Sequence, residues 1–503
     1  MGKQKQKPNE EAGIYRRAKI WQIALSQLGS AAQMTFYVLM SYATYIGNSN
    51  FGILVAVTGI IVTASRVFDG ITDPIVAFIV ERGNFKHGKI RTFLIVGWAV
   101  MALGTTLMCN IGAGAFSGIA GIVFFIVCYF IYILGYTFFG VASSMIGPIL
   151  TNDPKQRPTV SVWSTIYSYV APTVISMLTM IAILPRYGSQ YDTPFFREWN
   201  IWIIVIALIC TLIACFAVAS YDVPENFMSV AAENAAQKAK DEAEGKDDGK
   251  VSVNDMVNLI KNNKEMQRYM VAACSDKLAQ TIGSASVIST MLFGIMIGNL
   301  TLSSIISAVA MFPSIIFAII GARLAGKRGN MKVMVEWTWA CIFLNIVFAA
   351  FLFFSDTTQI TVAILPTVIF MILTFANSSF KMIVSTATNS FKMDIVDYEY
   401  YRSGKYLPAS VSATYGFIDK FISAFGATIA TLMIGLIGYT TTTPQYGDPL
   451  TMGVRVITVG LYCGFPILGW ICTIIGMKNS KLTKERMVEV QIANNARRNG
   501  TAQ

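Results

Sequence analysis

The chain has 503 residues, of which 54% are hydrophobic and only 13% are charged, and its formal net charge is +11. This composition excludes an ordinary water-soluble fold and favours a membrane protein with many spans. The positive charge requires no nucleic acid partner, because basic residues in the connecting loops would meet anionic lipid headgroups.

Runs of about 20 apolar residues, long enough for a helix to cross the hydrocarbon core of a bilayer, recur along nearly the whole chain. The alternating pattern of a β-barrel is absent, so we predict that the spans are helices. The first six predicted spans are 21–46, 52–80, 93–111, 116–150, 160–184 and 201–220, and the second six are 270–297, 302–322, 334–354, 360–385, 408–437 and 452–477. The predicted fold is an all-α polytopic membrane protein with about twelve transmembrane helices in two six-helix halves.

One long polar segment separates the two groups of spans. We predict an N-terminal six-helix bundle in residues 1–220, a cytoplasmic linker in 221–268, a C-terminal six-helix bundle in 269–477 and a cytoplasmic tail in 478–503. Residues 231–250 are rich in Ala, Glu, Asp, Lys and Gly, which favours an unfolded linker over a regulatory domain. The apolar spacing of 251–260 then predicts an amphipathic helix on the membrane surface.

The distribution of Lys and Arg predicts the orientation, because cytoplasmic loops of membrane proteins collect positive charge. With both termini cytoplasmic, the outer segments hold only Arg186, Arg197 and Arg455, whereas the inner segments hold most of the 39 basic residues. The basic N-terminus leads into the first span without a small-residue cleavage site, so we expect an uncleaved helix. These features predict a multi-pass protein of the cell membrane.

Nothing in the sequence favours a cofactor, a structural metal or enzyme chemistry. The 8 cysteines lie in apolar segments without metal-ligand spacing, which favours buried hydrophobic residues over disulfides or metal ligands. His87 is the only histidine and lies in a basic loop, so a proton relay built on histidine has no candidate. No Walker loop and no nucleophile cluster is apparent, so we expect neither ATP-driven transport nor catalysis.

Two aspartates one turn apart in the second predicted span, Asp69 and Asp73, are the most informative residues. A charge at that depth costs about 2.5–3.5 kcal/mol, so such residues are usually functional. On one face of a helix, both carboxylates ionise cheaply only beside a cation or a proton. Thr72 adds a hydroxyl, and hard cations prefer oxygen ligands, which predicts a site for Na⁺, Li⁺ or H⁺. Alternatively, Arg66 neutralises Asp69 while Asp73 caps a kink before Pro74.

Several motifs resemble those of the glycoside-pentoside-hexuronide:cation symporters, the melibiose permease-like branch of the major facilitator superfamily. The run Arg66-Val-Phe-Asp69-Gly-Ile-Thr-Asp73-Pro74, with Gly88-Lys89 and Arg91 after it, resembles the family's second-helix signature. Asn152-Asp153-Pro154-Lys-Gln-Arg157 and Asp394-Ile-Val-Asp397-Tyr398-Glu399 resemble its motifs after helices 4 and 10, and Lys420 before Gly435-Leu-Ile-Gly438-Tyr439 resembles its helix 11 lysine. The resemblance implies a major facilitator fold, in agreement with the two groups of six spans.

The resemblance also implies roles for individual residues. Asp69 and Asp73 match the cation carboxylates, Thr137 matches a helix 4 cation ligand, and Thr72 replaces an asparagine of the family. Lys420 matches the lysine that links the cation and sugar sites. A charge-balancing partner without a part in coupling is the alternative for this lysine.

The implied sugar site departs further from the family. Gly140 stands where the family has a sugar-binding aspartate, Ser144 where it has a tryptophan, and Ser164 where it has an arginine. Losing groups that bond specific hydroxyls changes the ligand, so a simple galactoside is not expected. Gln27 in the first span and Trp163 in the fifth are candidate substrate contacts.

The remaining polar groups leave the substrate open. Ser30 and Gln33 add hydroxyl and amide groups to the first span, but ordinary helix packing explains all the polar candidates equally well. Lys381, together with Lys420, would suit a uronide, although Lys381 is also placed to snorkel to the membrane surface. Three further charges, Asp276, Lys277 and Asp419, have no role that the sequence assigns.

We therefore predict a secondary transporter that couples Na⁺ or H⁺ to the symport of a sugar, glycoside, oligosaccharide or uronide by alternating access. Cation binding at the aspartates would reorient Lys420 and raise substrate affinity, and substrate would raise cation affinity by the same factor. The alternative is a membrane sensor or scaffold that keeps a transporter-like body without transporting. The sequence does not choose between the ions or fix the oligomeric state.

Overall fold

The computed structural model describes residues 17–82, 88–151, 156–223, 253–404 and 407–498. These residues form helices and connecting turns, without a β-strand in the described ranges. The helices before residue 220 are α1 (Ile20–Ser26), α2 (Leu28–Met40), α3 (Ala43–Phe51), α4 (Val55–Arg82), α5 (Lys89–Thr106), α6 (Gly118–Ser144), α7 (Ile146–Leu150), α8 (Arg157–Leu178) and α9 (Thr193–Val218). Those after it are α10 (Val253–Asn262), α11 (Lys264–Gly283), α12 (Ser286–Ser289), α13 (Leu300–Arg328), α14 (Asn330–Phe354), α15 (Ile364–Ser403), α16 (Pro408–Gly435), α17 (Met452–Val459), α18 (Phe465–Met477) and α19 (Lys484–Arg498).

All the predicted spans lie on helices. In the described residues, 8 helices are long and apolar enough to cross a membrane, and a ninth span results if α11 and the bent segment Ser286–Met296, inclined by 53°, count as one. The three other predicted spans correspond to the broken series α1 to α3, to α4 and to α13. Short π-helical segments extend several of the spans: Leu107–Ile111, Thr179–Ile183, Thr290–Met296 and Gly460–Gly464.

Two predicted boundaries are wrong, because hydropathy does not report where a helix is capped. Helix α9 begins at Thr193 instead of residue 201, since the Asp192 side chain accepts a hydrogen bond from the backbone N–H of Phe195 (2.9 Å). Helix α15 runs to Ser403 instead of residue 385, and Gly404 with φ 76° ends it. The motif from Asp394 to Glu399 therefore lies on a helix and not in a loop.

The described parts of the polar segments between and after the two groups of spans contain helices. The predicted amphipathic helix is present as α10, and its Leu259 is buried in the apolar core formed by the C-terminal helices. Helix α11 begins inside the predicted linker, because Asn263 Oδ1 accepts hydrogen bonds from the N–H groups of Glu265 and Met266 (both 3.0 Å). The predicted tail contains α19. Residues 231–250 lie outside the described residues, so the unfolded linker stays a prediction.

One compact unit comprises Met1–Gly52, Phe68–Tyr187 and Tyr191–Ala235. Within it α5 packs on α6 and α9, and α2 packs on α8 and α9. The contact of α5 with α6 is close because both helices place glycine there: a Cβ on Gly135 would lie 2.5 Å from the backbone nitrogen of Met101. Small residues at such crossings let transmembrane backbones approach one another.

The other compact unit comprises Ile53–Val67, Gly188–Gln190 and Ala236–Gln503. Helices α13 and α14 pack on α15, and α11 packs on α16 and α18. The first half of α4 clusters with this unit: Thr63 Oγ1 donates to the carbonyl of Ala424 and lies 2.7 Å from Thr428 Oγ1. The domain division at residues 220 and 269 stays a prediction.

Candidate functional site

The predicted cation ligands on α4 and α6 meet. Thr137 is buried on α6, and its Oγ1 donates a hydrogen bond of 3.0 Å to Oδ1 of Asp69, which is half-buried on α4. These residues are 68 positions apart in the chain, so the contact is tertiary. A carboxylate and a hydroxyl in contact inside an apolar bundle supply two oxygen ligands for a small cation.

Thr72 adds a third oxygen near the same carboxylate residue. Its side chain is buried, and its Oγ1 donates to the backbone carbonyl of Asp69 over 3.1 Å. A hydroxyl that donates to its own helix keeps its lone pairs for a cation. Asp73 stands one turn after Asp69 in α4, but its side chain lies outside the described residues.

The donors that the described residues supply are the carboxylate of Asp69 and the hydroxyls of Thr137 and Thr72. Among the described residues, no group of three or more His, Cys, Asp or Glu side chains is placed to hold a metal ion. Carboxylate and hydroxyl oxygens are hard ligands, which suit hard cations.

The two predicted coupling residues lie on α4 and α16. Arg66 is exposed and stands one turn before Asp69, and Lys420 is exposed on α16. Because a charged side chain within a span faces water or a polar cavity in most membrane proteins, both positions are compatible with a functional role.

The predicted substrate residues Ser164, Trp163 and Gln27 differ in burial and in the side chains that they contact. Ser164 on α8 lies 3.4 Å from Ser30 on α2, Oγ to Oγ. Trp163 is half-buried and stacks on Tyr167, with ring centroids 5.8 Å apart. Gln27 is only 4% exposed, and its Nε2 is 3.4 Å from Ser26 Oγ, so it packs inside the unit.

The amide of Gln33 lies beside Gly140, the position where the resemblance implies an aspartate in the family. Its Nε2 lies 2.9 Å from where a Cβ on Gly140 would stand, and it donates to the carbonyl of Tyr136 over 3.1 Å. A larger residue at position 140 would collide with this amide. Sequence analysis named Gln33 only as one of several polar residues of the first span, and its proximity to Gly140 is a tertiary contact.

The intramembrane charges of the C-terminal helices form a cluster that the sequence did not assign. Asp276 on α11 accepts hydrogen bonds from Gln280 Nε2 (2.7 Å) and from Trp470 Nε1 on α18 (2.9 Å). Lys381 on α15 places its Nζ 5.5 Å from the centroid of the Trp470 ring. The expectation that Lys381 snorkels to the membrane surface is therefore wrong, because Trp470 is only 1% exposed.

Two further charged residues, Lys277 and Asp419, also have no role that the sequence assigns. Lys277 follows Asp276 on α11, and Asp419 lies on α16, which packs on α11. Lys277 is exposed on α11, and Asp419 on α16 accepts a hydrogen bond of 3.4 Å from Tyr415. The structure assigns neither residue a ligand.

The basic motif after α4 contains the first residues of α5, and the carboxylate of Asp222 caps this helix. Its carboxylate accepts hydrogen bonds from the backbone N–H groups of Lys89 (2.9 Å), Ile90 (3.1 Å) and Arg91 (2.9 Å), and from Nε of Arg91 (3.2 Å). Gly88 adopts φ 93°, and a Cβ there would collide with the carboxylate at 2.2 Å. The motif therefore forms an anion-binding helix N-terminus for Asp222, which sequence analysis missed.

The chain matches the family model described as MFS/sugar transport protein over residues 25–484. The chain belongs to this family. Membership of the MFS/sugar transport family makes the protein a multi-span membrane transporter and not an enzyme, and it confirms the resemblance to the glycoside-pentoside-hexuronide:cation symporters.

Relatives of known name cover nearly the whole chain. The uncharacterized symporter YjmB of Bacillus subtilis (strain 168) is 22% identical over 458 residues, which are 89% of this chain and 90% of that protein. The glucuronide carrier protein homolog of Escherichia coli (strain K12) is 21% identical over 466 residues, with 90% of each chain covered. The crystal structure of the nucleoside transporter NupG covers 92% of this chain and 99% of its own, with a TM-score of 0.59 and 13% identity. This similarity confirms the major facilitator fold.

Proposed function

We propose that this protein is a secondary transporter that couples the entry of a sugar or glycoside to a small cation. The observation that carries the proposal is the hydrogen bond between Thr137 on α6 and Asp69 on α4, inside a member of a sugar transport family. A carboxylate that is kept in an apolar bundle, with one hydroxyl bonded to it and another bonded to its backbone carbonyl, is suited to bind and release Na⁺, Li⁺ or H⁺. Names of relatives that describe symport agree with this use.

The proposed ligands are the carboxylates of Asp69 and Asp73 and the hydroxyls of Thr137 and Thr72. A bound cation cancels the negative charge of this site, and Arg66 and Lys420 respond to that change as the coupling residues. Substrate and cation then raise each other's affinity by one common factor, and the loaded protein alternates between access to the two sides of the membrane. No covalent step is needed.

The substrate is proposed to be a sugar, glycoside, oligosaccharide or uronide bound by uncharged groups in the N-terminal helices. The serine pair Ser30 and Ser164, the amide of Gln33 and the indole of Trp163 offer donors, acceptors and a ring face, and Gln27 stays a candidate. An uncharged lining differs from the charged site that the resemblance implies, which supports a ligand other than a simple galactoside.

We further propose the cell membrane as the location, with both termini cytoplasmic and anionic lipids in contact with the basic loops. No nucleic acid partner and no cofactor besides the coupling ion are proposed, and the oligomeric state is left open. No contact in the described residues favours a sensor or scaffold over a transporter.

Purified protein in liposomes tests the proposal. Uptake of radiolabelled oligosaccharides, pentosides and uronides is measured under an inward Na⁺ gradient, under an inward H⁺ gradient and under neither. Gradient-dependent uptake of one of these solutes is expected for the wild type, and its loss is expected for Asp69→Asn and Asp73→Asn. Asp356→Asn, which changes a carboxylate exposed in a turn, serves as the control. Absence of uptake by correctly folded wild-type protein with every sugar would contradict the proposal.

A further inference from the structure

Helix α6 contacts α4 on one face and α5 on the opposite face, at the level of the proposed cation site. Thr137 donates its hydrogen bond to Asp69 of α4. Gly135 and Phe139, two residues before and after it, contact α5 instead. Two residues correspond to about 200° around an α-helix, so Thr137 projects from the face opposite the one that α5 touches. All of these residues belong to one compact unit.

The contact between α5 and α6 leaves no room for a Cβ atom on either glycine. A Cβ on Gly97 of α5 would lie 2.8 Å from the backbone nitrogen of Phe139 and 2.9 Å from its Cα. A Cβ on Gly135 of α6 would lie 2.5 Å from the backbone nitrogen of Met101. These backbone atoms belong to regular helices and do not rotate away, so the distance between α5 and α6 depends on the two glycines.

Aromatic contacts hold α6 from both sides at the same level. Phe93 of α5 is 5% exposed and stacks on Phe138, the residue after the threonine, with ring centroids 5.8 Å apart and planes inclined by 7°. On the other side, Phe68 of α4 contacts Phe130 of α6, with ring centroids 4.4 Å apart. Helix α5 is itself packed on α9. A push between α5 and α6 therefore displaces α6, because α5 has a helix behind it.

A small displacement of α6 is enough to disturb an ion site. Lengthening a contact of 2.8 Å to the 3.4 Å of ordinary van der Waals contact moves a helix by about half an ångström, which is the tolerance of a preorganised binding site. Because Thr137 lies on the face away from α5, the movement carries its hydroxyl toward α4 and changes its position beside Asp69. Oxygen ligands of an ion must keep their distances to within about 0.2 Å.

We propose that Gly97 and Gly135 are positioning residues of the cation site, because their close contact holds the hydroxyl of Thr137 beside its carboxylate partner. Helix α5 thereby sets the affinity for the coupling cation without supplying a ligand of its own. This inference rests on the proposed function and deepens it, since it adds a third helix to the two that carry the proposed ligands.

The first test is a double-mutant cycle on the half-saturating concentration of the coupling cation, measured from sugar uptake in liposomes. Gly97→Ala and Gly135→Ala are each expected to raise this concentration roughly tenfold, as Thr137→Val does, because each takes the same oxygen from its place. Combining Gly97→Ala with Thr137→Val is expected to add no further rise, since the glycine acts only through the hydroxyl that valine lacks. Rises that multiply in the double variant would overturn the inference.

Gly469→Ala is the matched control for a loss of stability. Gly469 lies on α18 in the other compact unit, and a Cβ there would lie 2.9 Å from the backbone carbonyl oxygen of Ser275. Overpacking is expected to lower the melting temperature of this variant as it does for Gly97→Ala, but to leave the half-saturating cation concentration within about twofold of the wild type. Equal rises in the cation concentration for both variants would overturn the inference, because they would reflect stability alone.

A second test measures cation binding directly and does not require transport. A bound cation raises the melting temperature in detergent, and the concentration at which the rise begins reports its dissociation constant. Phe93→Leu adds no volume at the crossing, so it tests the same contact if the alanine variants do not fold. It is expected to raise that concentration roughly two- to fivefold, because the stacked ring pair is lost.

The outcomes separate this inference from the proposed function. Wild-type protein whose uptake and melting temperature do not depend on Na⁺, Li⁺ or pH would contradict the proposed function. Wild-type protein that responds to the cation, together with Gly97→Ala and Phe93→Leu variants that respond at the same concentration, would overturn only the positioning role of α5.

Discussion

Asp69 on α4 combines a half-buried carboxylate with two neighbouring hydroxyl groups that hydrogen bonds hold in place. The sequence placed a carboxylate in an apolar helix, and the structure adds the hydroxyl of Thr137 at 3.0 Å and the buried hydroxyl of Thr72 on the same helix. The Thr137 hydroxyl donates a hydrogen bond to the carboxylate of Asp69, and the Thr72 hydroxyl donates one to its backbone carbonyl. Such prior fixation lowers the cost of assembling ligands around an ion.

Removing the Thr137 hydroxyl tests the ion site at a single atom. Thr137→Val is expected to raise the half-saturating Na⁺ concentration about tenfold if Na⁺ is the coupling ion, because one oxygen ligand is lost while the volume is kept. Sugar uptake measured against external Na⁺ checks this.

Thr211→Val is the matched control, since its buried hydroxyl only returns to the carbonyl of Ala207 on its own helix (2.7 Å). If both variants shift the Na⁺ dependence equally, Thr137 has no special part in ion binding.

Asp222 illustrates a residue whose importance depends on a neighbour far away in the chain. Its carboxylate is buried and satisfies three N–H groups of the first turn of α5, 131 to 133 positions earlier. These N–H groups have no partner inside their helix, so the carboxylate both caps α5 and meets the positive end of its dipole.

Asp222→Asn is expected to lower the free energy of unfolding by about 1–3 kcal/mol, because the amide loses one acceptor oxygen and the charge beside Arg91. Thermal unfolding in detergent measures the change. Glu336→Gln, which breaks an exposed ion pair with Arg328, is expected to cost less than about 1 kcal/mol. A loss no larger than that of the control would show that the cap contributes little.

Helices α5 and α6 pack closely because each has a glycine, which carries no Cβ atom, where the two helices cross. A Cβ on Gly97 would lie 2.8 Å from the backbone nitrogen of Phe139, and one on Gly135 would lie 2.5 Å from that of Met101. Both contacts involve backbone atoms, which cannot rotate away as a side chain does. The crossing therefore depends on glycine from each helix.

Gly135→Ala is expected to lower stability by about 1–3 kcal/mol, because overpacking forces the two backbones apart. The melting temperature in detergent is the measurement. Gly326→Ala, on α13 with no atom within 4 Å of its Cβ, is the control and is expected to be neutral or slightly stabilising. Equal melting temperatures for the two variants would contradict the close crossing of α5 and α6.

Orientation in the membrane is a property of the entire chain, because it follows from the summed asymmetry of basic residues across all loops. An epitope appended after Gln503 is expected to be digested by protease in inside-out vesicles and protected in right-side-out cells. An epitope inserted in the turn after α16, near Pro449, is expected to behave in the opposite way. Digestion of both epitopes from one side would contradict the predicted topology.

Local sequence properties were sufficient for the helical spans and the intramembrane aspartates, whereas the major facilitator fold was implied by the resemblance of several motifs to a known family. Apolar length, loop charge and one-turn spacing are all read within about 25 residues, and a bilayer restricts such segments to helices. Helix capping was beyond this reach, which is why the start of α9 and the end of α15 differ from the predicted boundaries.

Contacts between distant segments were decided by packing alone. The bond from Thr137 to Asp69, the carboxylate of Asp222 on α5 and the meeting of Asp276 with Lys381 and Trp470 each join helices that no local pattern pairs. Hydropathy cannot distinguish which face of an apolar helix meets a neighbour, since nearly every residue of such a helix is apolar. The polar partners are therefore fixed by the three-dimensional arrangement of the helices, because a polar group inside a bundle is stable only where another helix brings a partner to it.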